Sequence, residues 1–372
     1  MGADCTVDAA ELSAFVSRAL IAVGARSDDA ASVARVLVDA DLRGIDTHGV
    51  ARLPAYVRLV DLGFLDTAAQ PRVDQRGPAV AVVDAANGFG QPAAELGVNV
   101  ACDLAAQCGI GWVSVHHSNH FGIVGYYTRM AAELGFVAFG GTNSAAVVAP
   151  TRATHRFIGT NPLAFAVPGS DGTAISLDMS TSGVAGGKLE QAIREGKPVP
   201  SGWVLTRDGA HTTDPSQGIS AGGALLPLGG TELHSSYKGY GLALMVEVLS
   251  SSLVGGPYGP GVGPLTSSEP KGPADVGHFM MVLDPGRFGA ADRFGDMVES
   301  MCADLRALEP ADPNLPVLVP GDPEERALAD RHRGIPLHES VIATLDALAA
   351  RAGVAPLPRR AAGLPAEGAA TS

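Results

Sequence analysis

A mixed α/β fold, with helices packed on a sheet of parallel and antiparallel strands, is what this sequence of 372 residues predicts. Three observations lead there. Apolar types make up 46% of the chain and charged types 17%, a composition that builds cores and is unlike a disordered or coiled-coil chain. Short apolar runs read as buried strands: AVAVVDA at 79–85, IGWVSV at 110–115, FVAFGG at 136–141, LAFAV at 163–167, AISLD at 174–178 and HFMMVLD at 278–284. Segments of helical spacing separate them irregularly, and no internal repeat is present.

The first 65 residues read as helical. Asp8 followed by Glu11 resembles a capping box, after which Leu12, Phe15, Val16, Leu20 and Val23 recur at helical spacing until Gly24. Ser27 is expected to cap a second helix with Val33, Val36 and Leu37 on one face. Pro92 suits the first turn of a helix that runs to Cys108. Further helices are expected near 121–135, over about 239–253, and at 291–307, 323–333 and 338–352. Residues 142–186 are turn-rich, 196–235 loop-heavy, and 254–276 rich in Gly, Pro and Ser. The expected division is a helical part of residues 1–75 with about 290–352, a mixed-sheet part of 76–289, and a flexible tail of 353–372.

Charge and composition exclude several classes of partner. The 39 acidic against 26 basic residues give a net charge of −13 with no basic stripe, so nucleic acid is not expected. No apolar run reaches the roughly 18–20 residues that a membrane helix needs. The start, MGADCTVDAAELSAF, lacks a basic region ahead of an apolar stretch, so no secretory leader is expected. Cys5, Cys102, Cys108 and Cys302 form no CxxC pair and suit reduced thiols in the cytoplasm.

Several segments could carry chemistry. Gly88-Phe-Gly90-Gln-Pro-Ala93 matches a dinucleotide fingerprint, but four residues separate Val83 of the apolar strand from the first glycine and no acid-ended strand follows about 20 residues on, so it reads as a Gly-rich helix start. In the segment from Arg43 to Tyr56, His48, Arg52 and Tyr56 stand at i, i+4 and i+8. On one helix they would share a face, drifting about 40° per step, and would suit a small carboxylate substrate. Pro54 must kink that helix or begin another, and a solvated polar face is the alternative. His116-His117-Ser-Asn-His120-Phe-Gly122 lies just past a strand. One of its histidines suits acid–base work; a metal reading of His116 with His120 lacks a third ligand nearby, and a metal hydrolase is only a distant alternative. The turns Thr142-Asn-Ser144, Gly159-Thr160-Asn161-Pro162 and Asp178-Met179-Ser180 could offer donors to phosphate or ribose. Lys238 precedes an apolar helix, where a cation is unfavourable unless an anion sits beside it.

RGIDTHGVARLPAYV, HHSNHFG, the TNS and GTNP pair, LDMS, YKGYGLALM and VGHFMMVLDP occur in this order with family-like spacing. Together they resemble the malate/L-lactate dehydrogenase family, which is separate from the Rossmann-type lactate and malate dehydrogenases and includes sulfolactate, ureidoglycolate and diketogulonate oxidoreductases and a reductase of cyclic imine carboxylates. The resemblance covers about residues 8–352. It implies a non-Rossmann mixed-sheet domain for NAD or NADP, a helical substrate and dimerisation domain, a homodimer, and hydride transfer to or from a small 2-hydroxy or 2-oxo acid. A cyclic imine carboxylate or a ureidoglycolate-like acid is the alternative substrate. Carried over by motif, His48 and His120 become the proton-transfer candidates, and Arg52, Tyr56 and Thr160 the substrate contacts. Ser144, Asn161, Asp178, Met179, Ser180, Lys238, Gly321 and Asp322 become cofactor contacts, the last two through a PGD that matches a PGE-like pattern loosely. No metal is implied. Ala145 stands where the ureidoglycolate enzymes are expected to carry an acid.

Overall fold

The computed structural model of the protein describes residues 5–170, 172–265, 271–289 and 293–361, which fall into two compact units. Element labels run in chain order through both.

The first unit holds residues up to 68 and from 320 onward. It begins with strand β1 (Cys5–Val7) and the helices α1 (Ala9–Ala22), α2 (Ser27–Leu42) and α3 (Leu53–Asp61). Asp8 caps α1 as expected, its carboxylate accepting from the amides of Ala10 and Glu11. Leu12, Phe15, Val16 and Leu20 are fully buried at helical spacing. At about 1.5–3 kcal/mol for each large apolar side chain removed from water, this stripe fixes α1 in the core. Ser27 turns out to be the first residue of α2; Arg26 holds the cap position, and its guanidinium donates to Asp29 at 2.8 and 2.9 Å.

The second unit spans residues 69–319 and carries a seven-stranded sheet. Along the chain come β2 (Arg72–Gly77), β3 (Val80–Asp84), α4 (Gly90–Cys108), β4 (Ile110–Ser118), α5 (Val124–Glu133), β5 (Val137–Thr142), β6 (Leu163–Gly169) and β7 (Gly172–Met179). There follow α6 (Gly186–Glu195), the two-residue strands β8 (Val204–Leu205), β9 (His211–Thr212) and β10 (Ala224–Leu225), then α7 (Ser236–Ser250), β11 (Val276–Leu283) and α8 (Phe294–Arg306). The sheet order is β2-β3-β4-β11-β5-β6-β7. β3 and β4 are parallel and the other neighbours antiparallel, so the mixed sheet is as expected. Strand alternation gives the sheet two apolar faces. Val113 and Val115 face α4, whose Gly97 fits against them; Trp112, Phe139, Leu163 and Phe279 pack beneath Val246 of α7.

Four differences from the sequence reading are structural. β4 continues through His116, His117 and Ser118, so these residues lie in the strand and not beyond it. α8 belongs with the sheet, because Val298 and Cys302 pack on Phe165 and Val167; the chain passes to the first unit at 319/320, not near 290. There α9 (Asp322–Arg331), β12 (Ile335–Leu337), α10 (Glu339–Ala352) and β13 (Arg360–Ala361) complete that unit. β1 pairs with both β12 and β13, a three-stranded sheet too short for alternation to announce. The start of the expected flexible tail is therefore tied down, with Leu357 buried; residues 362–372 lie outside the described residues.

Candidate active site

In the second unit, the candidate residues sit where β4, β5 and β7 end and just ahead of β6, with Lys238 in the first turn of α7. Asn119 is buried just after β4, and its side-chain amide donates to the carbonyl oxygens of Asn87 (3.2 Å) and Gly88 (2.9 Å). His120 follows, half-buried, with Nδ1 accepting from the Gly122 amide at 3.3 Å. A neutral ring held this way carries its proton on Nε2. Phe121 is stacked between Tyr127 and His278, at centroid distances of 4.8 and 4.0 Å, and its carbonyl accepts from the Tyr127 hydroxyl at 2.6 Å. Packing on both sides of Phe121 fixes the loop that presents His120.

GFGQPA has its explanation here. β3, α4 and β4 form a parallel βαβ unit, the setting of a dinucleotide fingerprint, yet the glycine serves its own chain. A Cβ on Gly90 would stand 2.3 Å from the Asn119 carbonyl oxygen and 2.9 Å from that of His120. The start of α4 is therefore packed against the loop that carries the histidine.

Ser144 and Thr160 bring two loops together. The Ser144 hydroxyl accepts from the Thr160 amide at 3.0 Å and lies 3.3 Å from the Thr160 hydroxyl, both side chains being half-buried. Asn161 is fully buried, and its side chain is spent inside the protein. Its Oδ1 accepts from the Ser144 amide (3.2 Å), and its amide donates to the Ala243 carbonyl (3.0 Å) and to Glu247 (2.5 Å). The Asn161 side chain thus holds the loop. Asp178 is likewise engaged, Oδ2 accepting from the Gly125 amide at 2.7 Å in the first turn of α5, where a carboxylate is favoured. Met179 packs against the cluster around Phe279, and Ser180 lies beside Ser182. Lys238 is exposed in the first turn of α7 and pairs with no carboxylate among the described residues.

In the first unit, His48, Arg52 and Tyr56 do not lie on one helix. His48 ends a 3-10 turn (Asp46–His48), Arg52 ends a second (Val50–Arg52), and Tyr56 sits in α3, with Pro54 in its first turn. Arg52 Nε donates to the Thr47 carbonyl at 2.6 Å, and its two Nη groups have no partner among the described residues. His48 Nδ1 is 2.9 Å from the Thr47 hydroxyl. Burial, and then the neighbouring Arg52 charge, push the His48 pKa down to about 4, so the ring is neutral near pH 7. Tyr56 is almost wholly buried. Gly321 has φ +106 and stands at the cap position of α9, with Asp322 the first residue of that helix.

Residues that carry no motif support these. Asp41 of α2 is 1% exposed, and its Oδ2 accepts from the Val50 amide at 2.9 Å. Oδ1 lies where a Cβ on Gly49 would come within 1.8 Å, so only glycine fits beside it. Arg331 donates to the Asp41 carbonyl at 2.6 Å and pairs with Asp46. Glu247 is a second buried acid, accepting from Asn161 and from the Gly259 amide. One charge inside the apolar run GYGLALMVEVLS was the signal for Glu247; Asp41 had none, because its role depends on a backbone nine residues away. The metal pairing of His116 with His120 is also revised, since β3 brings Asp84 to within 3.0 Å of His117.

The sequence matches the malate/L-lactate dehydrogenase family over residues 7–346. It is 39% identical over 345 residues to the malate dehydrogenase of Pyrococcus horikoshii, covering 92% of this chain and 94% of that one. The solved structure of that enzyme superposes with a TM-score of 0.86, covering 95% of this chain and 97% of that one. It is 33% identical over 311 residues to the ureidoglycolate dehydrogenase (NAD(+)) of Escherichia coli K12, covering 84% and 86% of the two chains. With the (2R)-3-sulfolactate dehydrogenase (NADP(+)) of Chromohalobacter salexigens it shares 34% identity over 331 residues, 89% and 94% of the chains. The chain therefore belongs to the malate/L-lactate dehydrogenase family.

Proposed function

We propose that this protein is an NAD- or NADP-dependent dehydrogenase that moves a hydride between the nicotinamide and C2 of a small 2-hydroxy or 2-oxo acid. Family membership sets the reaction class, and Arg52 is the observation that carries the substrate class. Its Nε is anchored on Thr47, which leaves the planar Nη pair to take a carboxylate through two parallel hydrogen bonds. The bound nicotinamide supplies the hydride donor or acceptor. His48, neutral near pH 7, suits a base that takes the hydroxyl proton in the oxidation direction. His120 offers Nε2–H as the alternative donor in reduction. Tyr56 lies one helical turn past Arg52 on the same segment and is assigned to the substrate side.

The residues present fit a dinucleotide. Lys238 is a cation at a helix start with no carboxylate partner among the described residues, and a phosphate there would offset its clash with the helix dipole. The half-buried hydroxyls of Ser144, Thr160 and Ser180 suit ribose or phosphate. Gly321 and Asp322, at the start of α9, remain assigned to the cofactor.

The active form is read as a homodimer. Past its first turn α7 presents an apolar face to solvent, where Leu244, Met245 and Val248 are 37–45% exposed, an arrangement that a second copy would cover. The four free cysteines suit the cytoplasm. No described helix is long and apolar enough to cross a membrane. The reaction is tested by a screen of 2-oxo acids and cyclic imine carboxylates with NADH and NADPH, followed at the reduced-nicotinamide absorbance. Turnover of a 2-oxo acid supports the reading, and no turnover of any member of the panel overturns it. Sedimentation at a monomer mass would overturn the dimer.

A further inference from the structure

His116 and His117 stand at a β-bulge. β4 and β11 pair Ser118 with Val276 and then Val115 with His278, so that the two histidines together face the single residue Gly277. Regular alternation would send neighbouring side chains to opposite faces of the sheet. Here His117 has φ +49, a left-handed backbone unusual for histidine, and the two rings come to a centroid distance of 4.2 Å. β3 adds a carboxylate, because Asp84 is the parallel-strand partner of His116. Its Oδ1 lies 3.0 Å from His117 Nδ1 and also accepts from the Ala86 amide at 2.9 Å, which fixes its direction.

One ligand atom from each of these three residues lies within 4.8 Å of the other two. Donors each about 2.1 Å from one ion stand roughly 3–3.4 Å apart in adjacent positions and about 4.2 Å apart across it. A common ion therefore needs the widest pair to close by at most about 0.6 Å if the two donors sit across it, and by at most about 1.4 Å if they sit side by side. Asp84 and His117 are 40% and 54% exposed, so an ion enters from solvent. Asp275, also close to His116, has a buried Oδ1 with no hydrogen-bond partner among the described residues and adds negative charge. Arg76, the cation in the neighbourhood, is engaged with Asp74 at 2.7 Å.

We propose that Asp84, His116 and His117 bind one divalent transition-metal ion of the zinc class, which staples β3 to β4 just ahead of the loop that carries His120. Two imidazoles and a carboxylate match zinc, nickel or cobalt and not calcium or magnesium. None of the three ligands has an acid–base or substrate role in the proposed reaction, so the ion's role is structural and does not depend on which substrate the enzyme takes.

The test uses the full chain freed of any affinity tag, with Zn2+ alone as the probe. Competition against a chromophoric chelator should give one bound Zn2+ per chain, and the melting midpoint should rise with Zn2+. His117→Asn keeps a residue that tolerates positive φ, so it should fold normally by circular dichroism. It and His116→Gln should each weaken Zn2+ binding at least about tenfold and abolish the melting shift. Mg2+ should produce neither effect. Equal Zn2+ affinity in wild type and both variants, or no stoichiometric binding in wild type, would overturn the proposal.

Discussion

Asp41 should make the stability of the first unit fall as the pH rises. Its carboxyl is buried on α2, and desolvation is the largest influence, with the Val50 amide opposing it and nearby Asp46 reinforcing it. Together they push its pKa from 3.8 up to about 8. The sign follows from proton binding. Between these values the folded protein keeps a proton that the unfolded chain has released, so each pH unit costs about 1.36 kcal/mol of stability. From pH 5 to pH 8 the loss attributable to Asp41 is on the order of 4 kcal/mol; above about pH 8 it levels off. Asp41→Asn keeps an oxygen to accept from Val50 but removes the titration. Unfolding by denaturant at pH 5, 7 and 9 for both proteins isolates the effect, since all other ionisations cancel in the difference. The variant should gain on wild type as pH rises, by several kcal/mol at pH 9 relative to pH 5. A wild-type-minus-variant difference that stays constant within about 0.5 kcal/mol would refute the reasoning, and would mean that Asp41 is ionised in the folded state.

Other perturbations separate substrate, cofactor and positioning. Arg52→Lys keeps the charge but loses the planar fork, so kcat/KM should drop about 10–100-fold, the worth of a charged hydrogen bond, with cofactor affinity unchanged. Wild-type kinetics would remove the carboxylate clamp. Lys238→Ala should weaken NAD(P)H binding by roughly 1.5–3 kcal/mol in a fluorescence titration; an unchanged dissociation constant would mark the lysine as structural. Gly90→Ala drives a Cβ into the Asn119 and His120 carbonyls, so it should lower kcat while leaving cofactor affinity nearly intact. A loss of cofactor affinity there, with kcat retained, would restore the dinucleotide reading of GFGQPA.

Local patterns alone determined most of the elements. The Asp8 cap, the Leu12–Leu20 stripe and the apolar runs of β3, β5, β6, β7 and β11 are short-range features, legible because a buried face must repeat at the period of its helix or strand. The motif order was legible too, and with it the family. What the tertiary structure decided is everything that joins distant positions. Sequence could not seat Asp84 beside His117, because that contact needs the parallel register of β3 on β4 and a bulge that turns His117 out of alternation. It could not show that Asn161 and Asp178 spend their side chains on Glu247 and Gly125, or that Asp41 lies under the loop between His48 and Arg52. Spacing suggested one helix face for His48, Arg52 and Tyr56; Gly49 and Pro54 break it into three pieces, since Asp41 leaves no room for a Cβ at 49 and proline stands in the first turn of α3. A polar side chain's role is set by which partner reaches it first once the chain has folded, and residues far apart in sequence supply most of those partners.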